Sequence, residues 1–353
     1  MKKFNVLIDL DRLKVLNTGL GQVAYLFGKE LSKLNDPRLR FTFLVPPKFK
    51  GEFGNNVDYE TTSLIRRYFP FLCKKYDLWH AIHQDSAYFP GDRSISYLLT
   101  IHDLNFLGEK TISKARKRIK LLQFKVNRAI EVIAISKFTK EVILQNLRLD
   151  NKIVTVIYNG VEHQTSIMSH KPVFLPDGKF LFTISVVKQK KNFKVLVDFI
   201  KDLKDYNLII AGNKSGKYAK ELEASIRAKG LQSKIVLPGE INAEDKYWLF
   251  KNCEAFVFPS LHEGFGLPVI EAMNFGKPVF LSTYSSLPEI GDKYAFYWEN
   301  FESKYMSDVF LEKMTEFSRN TEKQLEMKQY ADQFTWEKNV GEYIKLYRKI
   351  LQI

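Results

Sequence analysis

The sequence lacks most of the features that mark secreted, membrane-spanning or disulfide-bonded proteins. Its 353 residues include two cysteines, Cys73 and Cys253, which lie far apart in the chain. This spacing argues against a disulfide framework or a zinc cluster and fits a reducing compartment. No apolar run approaches the roughly 18 residues of a membrane span, and Asn5 and Asp9 interrupt the first apolar run too early for a secretory signal. We therefore expect a cytoplasmic protein.

Two further absences limit the function classes. The chain has no zinc-finger, helix-turn-helix or RRM-type aromatic signature, so we expect no nucleic acid partner. No predicted strand is followed by G-x-G-x-x-G, and the N-terminal "TGLGQV" is the nearest approach to that fingerprint. An oxidoreductase with a dinucleotide cofactor is therefore disfavoured.

Positive charge is abundant and unevenly distributed. The formal net charge is +14, and residues 1–170 hold 27 lysines and arginines against 16 acidic residues. The densest basic stretch is 111–130, where cations alternate with apolar residues at helical spacing. It predicts either an ordinary surface helix with a solvated side, or a helix that lies on an anionic membrane or binds a polyanionic acceptor. Its cations are Lys114, Arg116, Lys117, Arg118, Lys120, Lys125 and Arg128.

Apolar runs of strand length alternate with helix-length segments along the chain, and 45% of the residues are hydrophobic. This alternation predicts an α/β fold in which parallel sheets are covered by helices on both faces. The pattern stops at 163–179, which carries Pro172, Pro176 and Gly178 and is typical of a linker. We expect two doubly wound domains, 1–168 and 175–335, with ligands in a cleft at the carboxyl ends of the strands. The predicted strands are 4–10, 40–46, 77–81, 95–103, 131–136, 152–160, 180–187, 206–212, 234–239, 255–260 and 277–283.

The stretch "PSLHEGFGLPVIEAM", residues 259–273, places Glu263 and Glu271 on either side of a glycine-rich turn. It follows a predicted strand, and Pro268 suits the first turn of a helix that begins near Leu267. Glycines beside a helix N-terminus predict a phosphate site, which the two carboxylates would flank. Alternatively, Glu271 only stabilises the helix start and Glu263 is an exposed loop residue.

With "GKPVFLSTYSSLPEI", this stretch resembles the signature of the retaining glycosyltransferases of family 4, whose GT-B fold consists of two facing Rossmann-like domains with a central cleft. The resemblance covers nearly the whole chain. It extends to "NTGLGQVAYLFGKEL", "LLTIHDLNFL", "VIAISKFTKEVI", "VIYNGVE" and "FLFTISVVKQKKNF". The end, "FTWEKNVGEYIKLYRKIL", is similar to the family's closing helix, so we expect 336–353 to pack on the N-terminal domain.

The resemblance implies a role for each matching residue. Glu263 would orient the hydroxyls of the donor sugar, and Glu271 would hold the nucleotide ribose. Lys191, with Lys190 beside it, would neutralise the leaving diphosphate, so no metal ion is expected. His102 would lie by the sugar and the acceptor, although a satisfied histidine at a strand end is the alternative. The implied catalytic residues are His102, Glu263 and Lys191, and the implied donor-binding residues are Gly19, Gly21, Lys190, Lys191, Glu263, Gly264, Phe265, Gly266, Leu267 and Glu271.

The resemblance implies a nucleotide sugar as substrate and no separate cofactor. GDP-mannose is favoured and a UDP-hexose is the alternative, with a saccharide or polyprenyl-diphosphate-linked acceptor and possible contact of 111–130 with an anionic membrane. A catalytically weak nucleotide-sugar-binding scaffold is the remaining alternative. The diphosphate loop has Ser185 and Val186 where many relatives have Gly-Arg or Gly-Thr, so an arginine is missing there and Lys190 would have to replace it.

Overall fold

The computed structural model describes residues 3–16, 18–72, 74–162 and 168–353. Residues 163–167 of the predicted linker, and Cys73, lie outside this described part. The chain divides into two compact units: unit 1 comprises Met1–Gly160 and Phe334–Ile353, and unit 2 comprises Val161–Gln333. Within the described residues, no helix combines the length and the apolar content needed to cross a bilayer.

Unit 1 is built on a seven-stranded parallel sheet with the strand order β3-β2-β1-β4-β5-β6-β7. Its central strands are buried on both faces, as expected for a parallel sheet covered by helices. The strands are β1 Phe4–Asp9, β2 Leu39–Val45, β3 Asp58–Thr61, β4 Leu78–Ala81, β5 Ser96–Ile101, β6 Glu131–Ala134 and β7 Val154–Val156.

The helices of unit 1 connect these strands, and the C-terminal helix packs against the first one. Ser136 caps the helix after β6 by accepting a hydrogen bond from the Thr139 amide, as its sequence position predicts. The helices are α1 Gly19–Leu31, α2 Leu64–Tyr68, α3 Phe106–Glu109, α4 Ile112–Arg128, α5 Lys137–Asn146 and, at the end of the chain, α13 Trp336–Leu351.

Unit 2 contains a six-stranded parallel sheet with the order β10-β9-β8-β11-β12-β13. Its strands are β8 Lys179–Ile184, β9 Tyr206–Ala211, β10 Ile235–Gly239, β11 Ala255–Phe258, β12 Val279–Ser282 and β13 Phe296–Trp298. Its helices are α6 Val195–Asp202, α7 Lys217–Ala228, α8 Ala243–Asn252, α9 Leu267–Asn274, α10 Leu287–Gly291, α11 Ser303–Ser318 and α12 Thr321–Ala331.

Each sheet has one point where the strand order reverses. In unit 1 it lies between β1 and β4, and in unit 2 between β8 and β11. Because parallel crossovers are almost always right-handed, connections that run in opposite directions place their helices on opposite faces. The carboxyl ends of the two strands at the reversal then border a crevice, where ligands bind in such sheets.

The predicted fold class is confirmed for each unit, since both sheets are parallel and interleaved with helices. Strands β3 and β13 were not predicted. β3 has the sequence "DYET" and is half-buried throughout, while β13 has only three residues. Both lie at a sheet edge, where a strand needs neither length nor a continuous apolar run.

Two glycines near the start of α1 differ in their surroundings. Thr18 caps this helix through the Gly21 amide. A methyl group on Gly21 would lie 2.3 Å from the carbonyl oxygen of Val15, whereas one on Gly19 would meet no atom within 4 Å. Gly21 is therefore required by close packing, whatever else this loop does.

We predict that Gly21→Ala lowers the free energy of unfolding of unit 1 by about 1–3 kcal/mol, because backbone atoms cannot yield to the new methyl group. Scanning calorimetry should show a melting temperature lower by roughly 3–10 °C. Gly19→Ala is the matched control and should unfold like the parent. Equal melting of both variants would contradict the packing argument.

Candidate active site

Lys191 and Glu263 come together where the strand order of unit 2 reverses. Lys191 lies in a short 3-10 turn, 189–191, after β8, and Glu263 lies in the loop after β11. Neighbouring strands thus deliver both residues to the same edge of the sheet. The ammonium group of Lys191 donates a hydrogen bond to Oε1 of Glu263 and forms an ion pair with it.

This ion pair is almost dry. The Lys191 side chain is 10% exposed and that of Glu263 is 13% exposed. The Lys191 ammonium also lies 5.2 Å from the centre of the Phe258 ring, which attracts a cation further. Removing either partner would leave a charge with little water around it, which costs more free energy than breaking an exposed pair.

Serine hydroxyls hold the loops that carry the pair. Ser285 accepts a hydrogen bond from the Glu263 amide at 2.9 Å, and Ser286 donates to the Phe265 carbonyl at 2.8 Å. Ser260 donates to the Lys190 carbonyl at 3.2 Å and accepts at its own carbonyl from Ser282. These hydroxyls join the loops after β8, β11 and β12. All four serines lie in the stretches "PSLHEGFGLPVIEAM" and "GKPVFLSTYSSLPEI", but the sequence alone does not indicate their hydrogen bonds.

Gly266 sets the entry into α9. Its φ of +113° lies in the left-handed region, where a glycine carries no steric penalty. α9 then begins at Leu267 with Pro268 in its first turn, as predicted. Among the described residues no side chain caps this N-terminus. Pro268 has no N–H and the Val269 amide donates to the Gly266 carbonyl at 2.9 Å, so it is the positive end of the helix dipole that suits an anion.

Glu271, in the second turn of α9, has its own cationic partner. Lys246 of α8 donates to Oε1 of Glu271 at 2.6 Å, and both side chains are largely buried. The pair forms part of the lining of an open pocket of about 360 Å³ with Tyr247, Phe250 and Asn274. Nothing in the motif around Glu271 indicates Lys246, which lies 25 residues earlier.

The start of the predicted diphosphate loop, at Ser185, packs against Gly212 at the end of the neighbouring strand β9. Gly212 has a φ of +123°, and a methyl group there would lie 2.0 Å from the Ser185 carbonyl oxygen. Val186, at the position where the family resemblance leads us to expect arginine or threonine, is half-buried. Lys190 is also half-buried, and its carbonyl accepts a hydrogen bond from the Leu261 amide at 2.8 Å.

His102 lies in unit 1, directly after β5, and is buried. Its Nε2 is 2.8 Å from the Ile82 carbonyl, its amide donates to Oε1 of Gln84, and its ring packs 5.1 Å from that of His83. Burial lowers the pKa of His102, so the neutral ring donates from Nε2 to the Ile82 carbonyl. One ring nitrogen is therefore already engaged within unit 1. Gly19 and Gly21 belong to the same unit.

The sequence contains an Asp-x-Asp triplet, Asp9-Leu10-Asp11, which the expectation of no metal ion does not take into account. Asp9 is buried, accepts hydrogen bonds from Ser86 and from the Asp11 amide, and its burial raises its pKa to about 7. Asp11 forms an ion pair with Lys14 at 2.5 Å. Both carboxylates thus have partners within unit 1.

We predict strong coupling between Lys191 and Glu263 in a double-mutant cycle. Lys191→Met and Glu263→Gln should each destabilise unit 2 by about 3 kcal/mol, and the double variant should lose clearly less than the sum. Calorimetric unfolding measures all three. Lys217→Met, which breaks the exposed pair with Glu221 at 3.6 Å, is the control and should change stability by less than about 0.5 kcal/mol. Additive losses would show that the pair is not coupled.

We also predict that unit 1 loses stability on acidification. Burial lowers the pKa of His80 to about 3 and lowers that of His83 and His102. The unfolded chain therefore binds more protons below pH ~6.5, and each histidine contributes a loss of up to about 1.4 kcal/mol per pH unit. Asp9 acts oppositely between about pH 4 and 7, because its raised pKa makes the folded state take up a proton. Because three histidines oppose one aspartate, the free energy of unfolding of unit 1 should fall as the pH is lowered.

The measurement is calorimetry at pH 7, 6 and 5, with His80→Gln as the comparison. Gln keeps a polar group near the Tyr347 and Thr100 hydroxyls, which lie 2.7 and 2.8 Å from the histidine ring. The variant should lose one histidine's share of the pH dependence. An unchanged slope would show that His80 is not held neutral.

Comparison with known proteins places the chain in a family. The model described as "Glycosyl transferases group 1" matches residues 166–350, and that described as "Glycosyltransferase Family 4" matches residues 24–165. The "O-antigen chain mannosyltransferase RfbU" of Salmonella typhimurium is 25% identical over 317 residues, covering 83% of this chain and 86% of that protein. An uncharacterized glycosyltransferase of Methanocaldococcus jannaschii is 29% identical over 263 residues, 73% of this chain and 69% of its own.

Solved structures share the fold over the full length. HepE from Anabaena, in complex with UDP and glucose, superposes with a TM-score of 0.75 at 17% identity, covering 98% of this chain and 100% of that one. A sucrose-phosphate synthase from Thermosynechococcus elongatus gives a TM-score of 0.75 at 15% identity, covering 99% and 100%. The two-domain GT-B fold is thereby confirmed. Because the group 1 model matches more than half of the chain, the chain belongs to the group 1 glycosyltransferases. Its N-terminal half matches the family 4 model.

Proposed function

We propose that the protein transfers a hexose, with mannose favoured, from a nucleotide-diphosphate sugar to a saccharide or lipid-linked saccharide acceptor in the synthesis of a cell-surface polysaccharide. The observation that carries this proposal is the buried Lys191–Glu263 pair beside the uncapped N-terminus of α9. A fixed cation and the positive end of a helix dipole suit the diphosphate, and a carboxylate suits the sugar hydroxyls.

The roles follow from the chemistry of the leaving group. As the bond between the sugar C1 and the diphosphate oxygen breaks, negative charge grows on the diphosphate, and Lys191 and the positive end of the α9 dipole stabilise it. Lys191 supplies the positive charge that neutralises the diphosphate, so no divalent metal ion is needed. Glu263 accepts hydrogen bonds from the sugar hydroxyls and fixes the ring.

We propose retention of the anomeric configuration through attack on the face that the diphosphate leaves. The acceptor hydroxyl oxygen bonds to C1, and the departing diphosphate oxygen takes the hydroxyl proton. This route needs no covalent sugar–enzyme intermediate, and it uses the diphosphate as the base.

Glu271 is proposed to bind the ribose hydroxyls. Its carboxylate already accepts one hydrogen bond from Lys246, at 2.6 Å. A carboxylate has further lone pairs, so the lysine can hold one oxygen while the other accepts from the ribose. Lys246 is then a positioning residue for Glu271.

GDP-mannose is the favoured donor because several relatives are mannosyltransferases, including RfbU and WbdA of Escherichia coli, to which 48% of this chain aligns at 27% identity. A UDP-hexose is the second candidate. It is favoured by HepE, which has been solved in complex with UDP-glucose and gives a TM-score of 0.74. The names of RfbU and related proteins, as O-antigen enzymes, favour a lipid-linked saccharide acceptor.

The test is nucleotide release from a panel of GDP- and UDP-sugars, with and without a membrane extract as a source of acceptor. We expect GDP release from GDP-mannose, stimulated by the extract and retained in excess EDTA. Glu263→Gln should reduce the rate by about a hundredfold or more, because sugar contacts made in the transition state are lost. Glu271→Gln should mainly raise the KM for the donor.

Glu221→Gln, on the exposed surface of α7, is the matched control and should leave turnover unchanged. Release from a UDP-sugar alone would replace the proposed donor. Binding of donors without release under any condition would favour the scaffold alternative. The anomeric configuration of the product, read by NMR, tests retention separately.

A further inference from the structure

The segment 64–71 of unit 1 exposes large apolar side chains. Leu64 is 71% exposed, Ile65 is 64% exposed and Phe71 is 69% exposed, and Tyr68 and Phe69 are exposed as well. Arg66 is the buried residue of α2, where it bonds to Glu60 at 2.6 Å. This single turn therefore buries one arginine and exposes its large apolar groups together with Arg67, whereas an ordinary surface helix buries its apolar groups.

The basic helix α4 presents a mixed outer face. Three of its seven cations turn inward: Arg118 pairs with Asp85, while Lys125 and Arg128 donate to backbone carbonyls. The outer face carries four exposed cations and three exposed apolar side chains. These are Lys114, Arg116, Lys117 and Lys120, with Ile112, Leu121 and Phe124.

Residues 89–95 join the two segments into one surface. A methyl group on Gly91 would lie 2.7 Å from the Phe71 amide nitrogen, so the backbone at Phe71 packs directly on this loop. On its other side, Phe89 packs on Phe124 with ring centres 5.3 Å apart. Asp92 of this loop forms an ion pair at 2.8 Å with Lys75, which follows the first segment, and its carbonyl accepts from Arg128 of α4 at 2.9 Å.

The topology agrees with this contact. The connections from β3 to β4, from β4 to β5 and from β5 to β6 all run in the same direction across the sheet. Right-handed crossovers then place α2, the loop 89–95 and α4 on one face of the sheet. α1 belongs to the connection from β1 to β2, which runs the opposite way, and therefore lies on the other face with α13.

We propose that this apolar-basic face, formed by the exposed side chains of 64–71 and of α4, docks unit 1 onto an anionic lipid bilayer. The apolar groups would enter the region below the headgroups while the cations of α4 contact lipid phosphates. Neither 62–76 nor 110–130 contains an aspartate or glutamate, and the charge of Asp92 in the joining loop is balanced by its ion pair with Lys75. Aliphatic side chains such as Leu64 and Ile65 favour lipid over nucleic acid, which is bound by cations and stacked aromatic rings.

This inference depends on the proposed function only through the lipid-linked acceptor. Vesicle binding is measured without donor or acceptor, and nucleotide release is measured without lipid, so the two proposals can fail separately. The sequence alone led us to expect membrane contact through 111–130. In the proposed arrangement, 64–71 supplies most of the inserting apolar side chains, and α4 supplies the cations that contact lipid phosphates.

The experiment is co-flotation of the full chain with phosphatidylcholine vesicles, with and without about a third of phosphatidylglycerol. The parent should bind the anionic vesicles and be released by about 0.5 M salt. Leu64→Ser/Ile65→Ser/Phe71→Ser should bind at least about tenfold more weakly at low salt, because three inserting side chains are lost. Lys117→Gln/Lys120→Gln should bind more weakly and depend less on salt.

Leu311→Ser/Leu325→Ser is the matched control, since these exposed apolar residues lie on helices of unit 2. It should bind like the parent. A Phe71→Trp variant reports insertion directly, because brominated acyl chains should quench its fluorescence and leave that of the parent nearly unchanged.

Three outcomes would overturn the inference. One is absence of binding to anionic vesicles at low salt. Another is parent-like binding by the triple serine variant with an unquenched Phe71→Trp, which would make the contact electrostatic only. The third is a dimer in sedimentation velocity that the triple variant converts to monomer, which would make the face an interface between two copies of the chain.

Discussion

The candidate donor site depends on one constraint, a lysine and a glutamate that must share a nearly dry space at the edge of a sheet. Neither Lys191 nor Glu263 has enough water around it to be stable alone, so each loop is held where it meets the other. The adjacent glycines and serines serve the same constraint. Gly212 lets β9 approach the Lys191 loop, and the serine hydroxyls connect the Glu263 loop to its neighbours.

A pair of this kind prepares a site for an anion at low reorganisation cost. The cation is already desolvated and fixed, so its attraction to a diphosphate is not weakened by water that must first be removed. On the proposed function, the diphosphate becomes a second anion for Lys191. Glu263 then has lone pairs for the sugar hydroxyls while remaining close to the same ammonium group. The N-terminus of α9 adds partial positive charge through the helix dipole, without a further charged side chain.

Local sequence patterns predicted much of this arrangement. The run from Ala255 to Met273 predicted a strand, a glycine loop and a helix starting near Leu267, and each is present. These features depend on residues close together in the chain, namely on the φ angle that Gly266 allows and the fixed φ of Pro268. The family resemblance implied that Lys191 and Glu263 act on the same donor, Lys191 on its diphosphate and Glu263 on its sugar.

Contacts between distant residues could not be predicted in this way. Lys246 has no motif around it, and its contact with Glu271 exists because folding brings α8 close to α9. The basic helix is a further case, because its composition says how many cations it has but not which face each one takes. Lys125 lies in the buried stripe of α4, where a binary pattern of polar and apolar residues would place an apolar residue.

That buried lysine connects the predicted position of His102 with the face of unit 1 that is proposed to meet lipid. The Lys125 ammonium donates to the carbonyls of Gln84 and Ser86 at 2.7 Å, and the Gln84 side chain accepts from the His102 amide at 2.9 Å. The helix whose outer face is proposed to meet lipid is therefore bonded, through one loop, to the backbone of the predicted catalytic histidine. Burial lowers the pKa of Lys125, but two carbonyl acceptors and the nearby carboxylates of Asp9 and Asp85 favour its charged form. A rigid loop held on both sides can keep His102 in place while the outer face of α4 exchanges water for headgroups, since the inward cations need not move.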